Sequence, residues 1–150
     1  VCRGGRCDSG ACVVTLCGGY AVAVTPSDER ELLLPLHLEI LEDLDVPTSV
    51  VVRRMNGRLD LLEASNADVV GLDWTVDIAR AREHVDRPVQ GNLDPSYLYS
   101  DPATVRERTR EVIEAAGPAG HILNLGHGVD SDTPVESVRA FVETAKNCNR

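Results

Sequence analysis

One alternation dominates the chain between Thr48 and residue 147. A short apolar run, a polar break and a helically spaced stretch follow one another four times. Thr48–Val52 (TSVVV), Asp68–Leu72 (DVVGL), Pro88–Gln90 and His121–Leu125 (HILNL) read as buried strands. Residues 57–65, 77–85, 102–116 and 134–146 read as the intervening helices. In 77–85, Ala79, Ala81 and Val85 are expected to face inward. Pro102 suits the first turn of its helix, and Gly117-Pro118 ends it. Residues 27–44 add an earlier helix, with Ser27 as its expected N-cap and Pro35 interrupting it. Such alternation dictates a parallel sheet with right-handed crossovers. The candidates are a doubly wound sheet and a (β/α)8 barrel. No G-x-G-x-x-G or Walker-A loop follows any strand, which disfavours the former. Four units, or five with residues 11–44, are too few for a whole barrel of about 250 residues.

Composition narrows the function. Fifteen basic residues face 24 acidic ones, a net charge of −9. A nucleic-acid binder needs a basic face to displace counterions, so the charge argues against that class, and no nucleic-acid partner is expected. One Trp, one Phe and three Tyr are too few for a base-stacking platform. No apolar run approaches the roughly 20 residues of a membrane span, and no signal-peptide pattern opens the chain. The expected setting is the cytoplasm.

The composition shifts near residue 24. Residues 1–24 are rich in Cys and Gly and contain one acid, Asp8. Residues 25–150 hold the other 23 acids. The expected organisation is an atypical segment, 1–24, ahead of a partial barrel domain, 25–150. The first segment reads either as foreign to the rest of the chain, as a shifted reading frame would make it, or as an ordinary glycine-rich strand and turn. Cys2, Cys7, Cys12 and Cys17 recur every five residues, with Cys148 apart. Zinc pairs usually have two to four residues between ligands, so free thiols are the better reading.

In parallel α/β proteins, ligands bind at the C-terminal ends of the strands. Arg53-Arg54, Asp73-Trp74-Thr75, Gln90 to Pro95 and Asn124 to Gly128 fall there, and all four loops should open on one face. His127 stands between Gly126 and Gly128, which let the backbone approach a ligand. Asp73 is a general acid, a substrate contact, a cap for the next helix or the partner of an Arg. Arg53 can grip a carboxylate through two N–H groups or simply lie solvated. Asn92 and Asp94 are expected to fix their own turn with Pro95. Trp74 reads as packing, and His37, His84 and His121 as structural. The candidate pocket residues are Arg53, Asp73, Gln90, Asn92, Asn124, Gly126 and His127.

The strings GLDWTV (71–76), QGNLDP (90–95) and NLGHG (124–128), in this order, resemble the uroporphyrinogen decarboxylase family. The resemblance is close from Thr48 to Lys146 and looser back to Pro26. It implies the C-terminal half of a (β/α)8 TIM-type barrel with four to five β-α units. It also implies cofactor-free removal of carboxyl groups from the four acetate arms of uroporphyrinogen III, giving coproporphyrinogen III. The family's arginine-rich substrate loop, key aspartate and binding tyrosine lie in the half not matched here. Its F-D/E-S motif is replaced by Val14 to Gly19, so its serine is missing. The residue that carries over is His127, expected to hydrogen-bond a substrate carboxylate. The intact family protein is expected to be a homodimer.

Three other readings stand beside this one. A zinc- or cobalamin-type methyltransferase of the same superfamily needs thiolate and imidazole ligands at strand ends, and no Cys lies in residues 18–147. An inactive remnant and a small-carboxylate-binding module both fit the same open face.

Overall fold

The computed structural model describes residues 10–18, 24–54 and 58–148. Five strands form one parallel sheet: β1 (Val14–Gly18), β2 (Thr48–Val52), β3 (Val69–Gly71), β4 (Val89–Leu93) and β5 (His121–Leu125). Their order in the sheet is their order in the chain. A doubly wound sheet reverses direction at a switch point, and this one never does. Parallel crossovers follow the right-handed rule, which puts the helices of a sheet in this order on one face, as in half of a (β/α)8 barrel.

Among the described residues, α1 (Pro26–Asp28) and α2 (Leu34–Glu42) lie between β1 and β2, and α3 (Leu59–Ala64), α4 (Ile78–His84), α5 (Pro102–Ala116) and α6 (Val135–Cys148) follow the later strands in turn. Local chemistry sets their ends. Asp77 accepts from the N–H groups of Ala79 and Arg80 and opens α4; Asp101 does the same for Ala103 and Thr104 at α5. Gly117, at φ 86°, ends α5.

Several sequence expectations need correction. Thr25, not Ser27, caps α1, because Pro26 takes the first helical position and the Thr25 hydroxyl reaches Asp28 N. Pro35 does not break the helix; a π-helical stretch, Glu29–Leu33, precedes it and the chain stays helical through Glu42. In α4 the inward residues are Ile78, Ala81 and Val85; Ala79 is exposed, since the cap at Asp77 fixes the helical phase. Strand β4 runs to Leu93 rather than ending at Gln90. A 3-10 helix, Pro95–Tyr99, follows it.

The core lies between sheet and helices. Val50, Val52, Val70 and Val89 face Leu62, Ala81 and Val85 in one cluster. Leu93, Leu98, Val105, Ala140 and Phe141 make a second cluster under α5 and α6. The opposite face of the sheet is the barrel interior. Register places Cys17, Val51, Gly71 and Gln90 in one lateral row across it.

Strand β1 falls inside the segment 1–24 and pairs with β2 along its whole length, so one sheet crosses the expected boundary at residue 24. Cys12, Cys17 and Cys148 are exposed free thiols; Cys2 and Cys7 lie outside the described residues. No helix among the described residues is long and apolar enough to cross a membrane.

Candidate active site

Parallel strands bring all their C-terminal ends to one rim. A cavity of about 520 Å³ opens there on the interior face. Cys17 and Gly18 of β1 wall one side, and Val51 and Arg53 follow from β2. Gly71, Leu72 and Gln90 form the floor; Asn124 through Gly128 close the far side. Among the described residues, the charged side chain of this lining is Arg53, and none is acidic. A chain of net charge −9 thus offers a basic and amide-bearing surface at this point.

The structure brings together Arg53, Gln90, Asn124, Gly126 and His127 in this lining. It leaves Asp73 and Asn92 out. Asp73 is 1% exposed, and its carboxylate is fully engaged. It accepts from Arg54 N, from Thr75 N at 2.8 Å and from the Thr75 hydroxyl at 2.6 Å. Asn92 does not fix its own turn. Its amide donates to the carbonyls of Asp73 (2.9 Å) and Val76 (2.6 Å). Both are buried, the Asp73 carboxylate and the Asn92 NH2 group are partnered, and they lock the β3 loop to β2 and β4 from behind the rim. Asp94 does hold its turn, accepting from Ser96 N ahead of Pro95.

Sequence reasoning undervalues Trp74. The Arg53 guanidinium lies 5.9 Å from its ring centroid, and the His127 ring meets it edge to face at 5.7 Å and 85°. Gly126 makes this possible: a Cβ there would overlap the Trp74 backbone. Its N–H donates to Leu93 O at 2.8 Å, seating the loop on β4. Gly91, within β4, has a comparable role, with φ 138° and its Cα hydrogens against Leu72 O. The Gly91–Asn92 peptide is cis.

Tyr99 also escapes a reading of the sequence. Its hydroxyl donates to Asp132 at 2.8 Å, tying the 3-10 helix to the loop after β5. That hydrogen bond, more than the nearby charges, raises the phenol above its ordinary pKa. The other histidines make backbone contacts or sit in the core layer. His121 Nε2 meets Gly91 O, and His84 Nδ1 meets Arg80 O. Burial lowers the pKa of His37, against the opposing charge of Glu29. Among the described residues, no group of three or more His, Cys, Asp or Glu is placed to hold a metal.

Comparison with known proteins gives a consistent picture. A family model described as uroporphyrinogen decarboxylase matches residues 5–148, reaching well before Thr48, where the close resemblance read from the sequence begins. A uroporphyrinogen decarboxylase of Gloeobacter violaceus is 42% identical over 147 residues, covering 93% of this chain and 42% of the relative. One from Nostoc sp. is 42% identical, covering 95% and 43%. A chloroplastic one from Zea mays is 36% identical, covering 94% and 38%. The chain therefore spans about two fifths of the length of these relatives. A methyltransferase from Methanosarcina mazei superposes with TM-score 0.85 over 95% of this chain and 44% of its own. At 16% identity that likeness concerns the fold alone. By its motifs, its half-barrel and its family match, the chain belongs to the uroporphyrinogen decarboxylase family.

Proposed function

We propose that this chain forms the carboxylate-binding side of a uroporphyrinogen decarboxylase. The reaction takes uroporphyrinogen III to coproporphyrinogen III without a cofactor. A pyrrole carbon is protonated, and the acetate arm loses CO2. The electron pair of the broken bond returns to the ring system as an exocyclic methylene, which takes a proton to become the methyl group while the ring carbon gives up the proton it had gained. The observation that carries this reading is the cavity at the strand ends, where the GLDWTV, QGNLDP and NLGHG strings meet with Arg53 and His127 exposed.

The residues divide the work by their chemistry. Arg53 can offer two parallel N–H donors to a carboxylate. Gln90 and Asn124 add amide donors, and His127 adds a ring N–H. The ring cation formed on protonation calls for a carboxylate nearby. No acidic side chain lines this cavity among the described residues, so that role belongs to the complementary half of the barrel. The same reading makes the protein a cytoplasmic biosynthetic enzyme, dimeric when its barrel is complete.

The test is to assay uroporphyrinogen III, kept reduced and anaerobic, with the chain alone and with the chain fused to the portion of the Gloeobacter relative it does not cover. The expected result is no product from the chain alone and coproporphyrinogen III from the fusion, abolished by His127→Ala. A fusion that folds but neither binds nor converts the substrate refutes the proposal. Binding without turnover would instead favour the carboxylate-binding module, which rests on the same lining.

A further inference from the structure

Arg53 and His127 are both exposed, on separate loops 74 positions apart in the chain, yet both contact one indole. Free side chains of this kind lose rotamer freedom when they bind a ligand, and prior ordering removes that cost. The backbone that carries the indole is firmly held. Asp73 pins the turn on its N-terminal side, Asn92 holds the carbonyls of Asp73 and Val76, and Gly126 packs on the Trp74 backbone. At 5.9 Å from the ring centroid the Arg53 guanidinium is attracted by its charge to the ring face, an interaction that uses none of its N–H donors. Neither Arg53 nor His127 belongs to an ion pair among the described residues.

We propose that Trp74 is a positioning residue: its indole holds Arg53 at one side and His127 at another, setting them as a two-point clamp for the carboxylate arms of the substrate. This rests on the carboxylate-binding role proposed above. Trp74 does not itself contact the carboxylates. It acts through the two groups it orders.

Trp74 is the sole tryptophan of the chain, so its indole N–H gives one resonance that reports on this place. The experiment uses the whole chain, isotope-labelled, with two measurements. The first compares the indole resonance in the wild type, Arg53→Ala and His127→Ala. Both substitutions should move it; a resonance that ignores both overturns the proposal, whatever the chain binds. The second measures affinity for reduced uroporphyrinogen III by calorimetry. Trp74→Leu should weaken binding at least about tenfold, and Trp74→Phe, which keeps a ring, should stay within about threefold. Arg53→Ala should cost far less in the Trp74→Leu background than in the wild type, since the two act as a unit. Equal binding by wild type and a folded Trp74→Leu overturns the clamp while leaving the carboxylate site intact. If the wild-type chain does not bind by itself, the affinities are measured in the fusion described above, whose failure to bind overturns the carboxylate reading, and the indole resonance alone decides whether Trp74 orders its neighbours.

Discussion

Strands β2 to β4 and strands β1 and β5 share one sheet but bury their residues differently. In β2, four of five residues are buried, and β4 is similar. In β1 and β5 the burial alternates with exposure, residue by residue, and neither strand has a fully buried member. The inner strands are covered by helices on one side and flanked by strands on both edges. The outer strands each lack a neighbour on one edge among the described residues. Their interior-facing residues, such as Cys17 and Ile122, lie open. The flanking helices repeat the lesson. Leu32, Leu36 and Ile40, spaced by four, form an exposed apolar stripe on the helical segment after β1, and Val135 and Val142 are exposed apolar residues on α6. Composition does not separate the two regions, since apolar residues occur in both. What differs is how many neighbours the topology supplies.

Core truncation in the middle should have the largest effect. Leu62 is 1% exposed, and Leu62→Ala should lose about 3 kcal/mol, read from the urea midpoint at unchanged slope. A loss under about 1 kcal/mol would mean that the middle is not the stable region. Next comes the buried polar lock. Asn92→Ala strands the carbonyls of Asp73 and Val76 and should cost about 2 kcal/mol by the same measurement. An unchanged midpoint would show that the rim does not depend on this amide.

A third effect is confined to acid pH. Asp68 accepts from the backbone N–H and hydroxyl of Thr48, and these bonds depress its pKa. The folded state therefore favours the ionised form. Its contribution is complete above the ordinary carboxylate range and is lost as pH falls through the depressed value. Asp68→Asn should flatten the acid limb of the stability curve and leave the neutral region less altered; an acid limb of unchanged shape would rule this out. The smallest effect belongs to the flanks. Leu36→Ser should change stability by no more than about 0.5 kcal/mol, because the side chain is 53% exposed. A loss approaching that of Leu62→Ala would erase the contrast between the two regions.

Some elements are plain in the sequence because local chemistry decides them. Helix 102–116 has Asp101, Pro102 and Gly117 at its ends, and strand His121–Leu125 has its register of apolar residues; both match the structure end to end. Strand β4 reads too short because Gly91 and Asn92 carry the look of a turn. Here Gly91 meets a requirement for close approach to Leu72, and Asn92 bonds across strands. Those are long-range facts with no local mark. The strand-end loops are legible as a group, since parallel topology alone sends them to one rim. The division within that group is not. Whether Asp73 faces the cavity or its own loop depends on the backbone donors of Arg54 and Thr75, and Trp74 gains its partners only when β2, β3 and β5 come together.

The strand order also bears on how the chain reaches this shape. Every sheet pairing joins sequence neighbours, and the widest, Val14 with Thr48, spans 34 positions. Among the described residues no strand must wait for a distant region of the chain, and loop closure at such lengths differs little from one pairing to the next. Contact order stays low for a parallel sheet, which favours quick assembly by stepwise addition. Each strand-helix unit can dock as soon as its predecessor is in place. The topology that leaves the flanks bare also lets the sheet grow from either end.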